Sequence, residues 1–340
     1  WLKIWDGRRR GSQVQDPNNL LAMASRLLLL GLGMAETAWA SGIDPSIYAS
    51  IFEMNQPMWS HLSEELQQLG LPAGAKILDV GAGPGEPSAT ILQSNPTLDV
   101  TCTDPQEGMV DKAKMRMKKK FADSAVDASR IQFAVASAEK LSASFPASTF
   151  DALTACFVLM FVDVPIALGE IGKVLKPHGH ALLAIWDQVP FFKVNTEIVH
   201  AMWAEGVPDT HPEKANPPNF TLNPMSLSRT AFNTKGDMGE LAKQAGFSVA
   251  SVRDVAYPFA LDSLEKLCYS SQILTNGVMP ALAEATGKTE DDLRAEHCKR
   301  LEKALQGSST MGQQSDGMWH FGVGEARVYT VRKERQSGEL

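Results

Sequence analysis

Residues Ile77 to Pro87, ILDVGAGPGEP, constrain this chain more than any other stretch. The apolar run Ile77, Leu78, Val80 predicts a buried strand, and glycines at alternate positions, Gly81, Gly83 and Gly85, then force a tight turn with its backbone laid open. Glycine suits such a turn because it accepts positive φ without penalty and because its missing Cβ lets a ligand rest on the main chain. Pro87 is expected as the first residue of the helix that follows. A dinucleotide fingerprint would place its third glycine where this chain has Glu86, and a phosphate loop would end in Gly-Lys-Ser/Thr, which is absent. Instead Asp79 stands just before the first glycine, where a carboxylate suits an ammonium or sulfonium. Asp104 closes the next apolar segment, Leu98 to Thr103, where a carboxylate takes both hydroxyls of a ribose. A nucleoside without phosphates is implied.

Composition narrows the partners. With 340 residues and 44% hydrophobic content the chain can bury a sizeable core, in one large or two medium domains. A net charge of -7 and a pI near 5.6 argue against general nucleic-acid binding. The dense basic run Lys112 to Lys120, KAKMRMKKK, is expected as the solvated face of a helix. Four cysteines, Cys102, Cys156, Cys268 and Cys298, contain no CxxC pair, so neither a zinc site nor a disulfide framework is expected and a reducing compartment fits. Residues 1–45 are expected as an extension, disordered or targeting: Arg8 to Arg10, the apolar run Leu27 to Ala35 and Ala38-Trp39-Ala40 imitate a secretory signal, but Asp16 and Glu36 interrupt it and nine apolar residues are too few to span a bilayer. No stable membrane insertion is expected. The location is expected to be cytoplasmic, with an organellar address as the alternative, and the natural start at Met23 or Met34. Nothing in the sequence states an oligomeric state.

Along the rest of the chain the pattern predicts one α/β domain, residues 46–340. Ser46 to Gly70 carries apolar positions at helical spacing and is expected as a helical cover reaching to residue 75. Strands are predicted at 76–80, 98–103, 131–136, 150–157 and 180–186, alternating with helices near 87–94, 107–121 and 164–175, as in a parallel sheet covered on both faces. An aromatic helix follows Trp186 and Asp187, and the proline- and asparagine-rich stretch Gly206 to Asn223 is expected as a substrate lid. A helix from Thr234 to Gly246, a strand Phe247 to Val255, two or three helices between Leu261 and Leu305, and a strand Ala326 to Arg332 complete it. Acceptor-pocket and lid insertions are assigned to 188–233 and 261–310, around a donor core at 76–187.

The DVGAGPG motif followed by TDPQEGM resembles the class I S-adenosylmethionine-dependent methyltransferases, most closely the UbiE-like, type 11 small-molecule group. The resemblance runs from Tyr48 to Asp187 and more loosely to the C-terminus. It implies a Rossmann-like fold, a mainly parallel seven-stranded sheet whose last strand lies antiparallel between the fifth and sixth. It implies S-adenosylmethionine as donor, S-adenosylhomocysteine as product, and a small-molecule acceptor attacking through O, N, S or activated carbon. It places Gly81, Ala82, Gly83, Gly85, Asp79, Asp104, Pro105, Met109, Ser137, Ala138, Glu139, Cys156 and Tyr48 about the donor. Met109 would pack on the adenine face. Ser137 stands where the family has an Asp that accepts from the adenine amine, so adenine recognition is expected to be weaker or to move to Glu139. Trp59, Phe157, Trp186 and Trp203 are the candidate acceptor walls. The family often shows Leu-His-His where this chain has Leu159-Met160-Phe161, so a base is sought elsewhere, at His200 or His211 beside the lid. No metal-ligand cluster is seen. A donor-binding regulator without chemistry and a nucleotide-dependent oxidoreductase remain alternatives, the missing third glycine counting against the second.

Overall fold

Short apolar runs, buried on both faces in the strands Lys76–Val80 and Phe150–Cys156 and in the second half of Leu175–Gln188, set the architecture of a parallel sheet. The computed structural model describes residues 51–217, 220, 237–306 and 311–335, all within one compact unit, Asp44–Leu340. In it β1 (Lys76–Val80), β2 (Asp99–Asp104), β3 (Ile131–Val135), β4 (Phe150–Cys156) and β5 (Leu175–Gln188) are parallel, in the order β3-β2-β1-β4-β5. Then come β6 (Phe247–Leu261), the two-residue β7 (Gly312–Gln313) and β8 (Trp319–Lys333). β8 inserts antiparallel between β5 and β6, and β7 pairs with β8. The seven main strands thus have the order that the family resemblance implies.

Both faces of the central strands are buried. Leu78, Val80, Leu153, Ala155, Leu183 and Ile185 point into one apolar cluster, and Ile77, Ala152, Cys156, Leu182, Ala184 and Trp186 into the other. The second cluster is closed by α1 (Gln56–Gln68), α2 (Ser88–Ser94) and α3 (Glu107–Phe121), the first by α4 (Val164–Val174) and, after α5 (Pro190–Gly206), by α6 (Asp237–Gln244). In α1 the residues Met58, Leu62 and Leu66 recur at four-residue spacing and are at most 2% exposed. Helix α5 joins α7 (Leu264–Thr275), α8 (Met279–Thr286) and α9 (Glu290–Gln306) in extending the second cluster. No helix among the described residues is long and apolar enough to cross a membrane.

Several expectations need correction. Helix α2 begins at Ser88, so Pro87 precedes it. β5 starts at Leu175 because Lys176-Pro177-His178-Gly179 is looped out within the strand: opposite β4 the partners jump from Phe150↔Leu175 to Ala152↔His180. β6 and β8 run on to Leu261 and back to Trp319, beyond the expected Val255 and Ala326 and past Gly322 and Gly324. Those glycines are packing slots, since a Cβ at Gly324 would lie 2.3 Å from the Phe259 ring and one at Gly322 2.8 Å from Pro190. Cys268 and Cys298 form a disulfide, with Cα atoms 5.2 Å apart across a separation of 30 residues. Folding of α7 against α9 creates that proximity, which no local cysteine spacing announces, so the argument from cysteine spacing to a reducing compartment fails. Tyr48, the start of the expected cover, Thr234 and the 1–45 extension lie outside the described residues.

Candidate active site

The turn after β1 is built by Asp79. Its carboxylate is wholly buried: Oδ2 accepts from the Ser88 backbone N–H (2.9 Å) and hydroxyl (2.6 Å), and Oδ1 from the Thr154 hydroxyl (2.8 Å). The acid thereby pins the start of α2 and the neighbouring β4 to the end of β1, and these bonds occupy the group that the sequence suggested for an ammonium or sulfonium. Burial pushes its pKa up to about 7 against the three hydrogen bonds, with nearby Glu86 adding to the rise. Thr103 donates its hydroxyl to the Asp79 carbonyl, and the Ala82 N–H bonds the Thr103 carbonyl at 2.7 Å, fixing the turn to β2.

The three glycines serve different needs. All have positive φ, at +66°, +52° and +106° for Gly81, Gly83 and Gly85. A Cβ at Gly81 would meet Val158 at 2.5 Å, and one at Gly85 would meet Met117 at 2.8 Å and Ala113 at 3.2 Å, so both admit close packing. At Gly83 a Cβ would meet nothing within 4 Å. Gly83 therefore presents bare backbone to open space. Beside it, Asp104 Oδ2 accepts from the Gly83 N–H (3.1 Å) and Oδ1 from the Gln106 N–H (2.9 Å), and burial raises the pKa of this carboxyl. Each oxygen keeps a lone pair for a further donor. Pro105 is exposed and Met109 half-buried next along the chain.

Two residues that read as surface or anomaly turn out to brace the turn. Glu86, 2% exposed, accepts from the Thr90 N–H and hydroxyl and pairs with Lys120 at 2.8 Å. Arg116 donates to the Pro84 carbonyl at 2.9 Å. Part of the basic run on α3 thus holds the cradle rather than facing solvent. At the end of β3, Ser137 accepts from the Glu139 N–H and Ala138 is buried, while the Glu139 carboxylate accepts from the Asp163 N–H at 2.6 Å ahead of α4. Glu139 is therefore engaged in local structure where adenine recognition was expected to move to it.

Beyond β4 and β5 lies an aromatic cluster. Phe157, with φ +60°, stacks on Trp186 with centroids 3.8 Å apart and planes 7° apart, and Phe259 meets Trp186 edge-on. A phenylalanine at positive φ is strained, and such strain concentrates at functional sites. Tyr257, which the sequence reading missed because it lies beyond the expected strand, packs 5.9 Å from Trp186. Cys156 is buried behind, its thiol pKa raised by burial and by Asp79.

The remaining candidates fall elsewhere. Trp59 is 1% exposed and packs with Phe52 in the core, so it is no open wall. His200 and Trp203 of α5 pack against Phe220, and His211 meets the Trp203 ring edge-on, in a second aromatic group; a cavity of about 340 Å³ there touches Trp203, His211, Glu213 and Glu284 but none of the glycine-turn residues. Of the expected lid, residues 206–217 and Phe220 are described; Lys214 Nζ donates to the carbonyls of Ala204 and Val207 at the end of α5, and Phe220 packs on Trp203. Residues 218, 219 and 221–236 lie outside the described set.

The strand order, with β8 antiparallel between β5 and β6, is that of a class I methyltransferase-type fold, and the glycine turn and Asp104 stand at the carboxyl ends of β1 and β2. Sequence comparison agrees: residues 78–183 match the family described as "Methyltransferase domain". A ubiquinone/menaquinone biosynthesis C-methyltransferase of Cereibacter sphaeroides is 35% identical over 118 residues, 34% of this chain and 44% of that protein. A demethylmenaquinone methyltransferase of Leptospira interrogans is 33% identical over 129 residues, 38% of this chain and 49% of that one. A mitochondrial 2-methoxy-6-polyprenyl-1,4-benzoquinol methylase of Caenorhabditis elegans is 31% identical over 122 residues, 36% and 41% respectively. The chain thus resembles the UbiE-like group through its central part and spans less than half the length of these relatives.

Proposed function

We propose that this protein transfers a methyl group from S-adenosylmethionine to a small-molecule acceptor by in-line displacement without a metal. The observation that carries the reading is the open space at Gly83 beside the Asp104 carboxylate. Bound there, the donor would supply an electrophilic methyl on a sulfonium. Asp104 would hold the ribose hydroxyls, the backbone of Gly81 to Gly85 would carry the methionine end, and Met109 with the Ser137–Glu139 turn would flank the adenine. The chain's own task is alignment and exclusion of water, which together are worth several kcal/mol. The buried stack of Phe157 on Trp186, and the quinone-related names of the relatives, support a planar aromatic acceptor. A soluble benzoquinol is the first acceptor to try.

Calorimetry with S-adenosylhomocysteine against NAD separates this reading from an oxidoreductase, and turnover with the benzoquinol separates it from a regulator without chemistry. Turnover is expected to persist in excess EDTA; strict metal dependence would overturn the metal-free mechanism. Asp104→Ala should weaken S-adenosylhomocysteine binding by roughly 1.5–3 kcal/mol, about ten- to hundredfold. Unchanged affinity would remove the ribose assignment. His200 and His211 lie in the second aromatic group, so His200→Gln and His211→Gln are expected to leave the kcat–pH profile of the parent intact. Disappearance in either variant of a fall in kcat on the acid side of the parent's profile would restore that histidine as the base.

A further inference from the structure

One short segment joins the donor turn to the aromatic wall. Asn55 occupies the N-cap position of α1, where an asparagine ordinarily accepts from the helix's own N–H groups, yet its side chain makes no such bond. Its Oδ1 instead accepts from the Tyr257 hydroxyl at 2.8 Å, across 202 residues of sequence. Both groups are buried, at 2% and 4% exposure, and each supplies the polar partner that burial demands of the other. On either side of Asn55 the chain is fastened to the cradle. Glu53 meets Arg116 at 3.3 Å, and Arg116 also holds the Pro84 carbonyl. Gln56 donates to the Thr90 hydroxyl at 3.4 Å, and Thr90 is bonded to Glu86.

We propose that Asn55 is a positioning residue for the acceptor wall: it holds Tyr257 beside Trp186 and, through Glu53 to Gln56, makes the order of that wall depend on occupation of the glycine turn. The inference rests on the donor reading above. Filling the turn restrains Pro84 and Glu86, their partners Arg116 and Thr90 restrain the segment, and Asn55 passes the restraint to β6. The wall is then completed only after the donor binds, which imposes a binding order on the two substrates.

Hydrogen exchange of the purified protein, with S-adenosylhomocysteine as probe, tests this coupling without an acceptor. In the parent, the ligand should slow exchange in peptides covering the glycine turn, residues 53–58 and residues 255–261. In Tyr257→Phe and in Asn55→Ala the turn should remain protected on binding, while the ligand-dependent protection of 255–261 falls at least tenfold. Asn55→Asp, which keeps the acceptor oxygen, should restore it. A purely structural role would alter exchange equally with and without ligand, so the bound-minus-free difference is the quantity to follow. Should Asn55→Ala not fold, Tyr257→Phe carries the test. Full protection of 255–261 in Tyr257→Phe overturns the proposal. If calorimetry shows no ligand binding to the parent, the donor reading fails first and the coupling with it.

Discussion

Gly83→Val should abolish binding of S-adenosylhomocysteine while leaving the protein folded. At φ +52° a side chain is strained, at a cost of about 1–2 kcal/mol, which a domain with ~5–15 kcal/mol of stability survives. Since a Cβ there meets nothing within 4 Å, the new side chain starts from open space and projects into the space assigned to the donor. Loss of at least ~3 kcal/mol of binding, about a hundredfold, is expected. The neighbouring glycines supply the contrast. Gly81→Ala drives a methyl into Val158, and Gly85→Ala into Met117 and Ala113, so both should lower the thermal midpoint before they affect a ligand. Calorimetry on Gly83→Val showing parental affinity, with an unchanged circular-dichroism spectrum, would place the donor elsewhere.

The second large effect is expected from Asp79 and concerns pH. Its folded pKa, raised to about 7 from 3.8, means that the folded state holds this proton more tightly than the unfolded chain does. The corresponding stability is fully present below pH 3.8 and is lost as pH rises through about 7. At ~1.4 kcal/mol per pH unit the loss across that interval is roughly 4 kcal/mol from this fully buried group. Asp79→Asn removes the titration, and its amide can still accept from Ser88 while the Thr154 hydroxyl turns to accept from the new N–H. Urea unfolding at pH 5 and pH 8 should therefore show a smaller difference for the variant than for the parent, and the variant should be the more stable at pH 8. Parallel pH dependence in the two proteins would contradict the raised pKa.

Motifs that depend only on neighbours in sequence were legible. The strand before the turn, the glycine turn, the acid ending β2 and the α/β alternation to β5 follow from short-range rules of burial and backbone freedom. Element ends failed where long-range packing took over. The extensions of β6 and β8 rest on Phe259 and Pro190 filling glycine slots, contacts made only once strands far apart in sequence have paired. The looped-out residues in β5 likewise answer to β4, not to their own sequence.

The same division runs through the site. By itself the sequence determined the glycine turn after β1 and the acid at the end of β2, because glycine φ freedom and the position of a carboxylate at a strand end are local properties of the chain. Only the tertiary structure decided that Glu86 and Arg116 brace that cradle, that Asp79 serves the turn itself, and that Trp59 is core. It also decided that His200 and His211 gather with Trp203, and that Cys268 meets Cys298. Tyr257 and Asn55 show why: two unremarkable polar residues become a pair only because folding buries both, and a buried polar group must find its partner wherever the fold has put one.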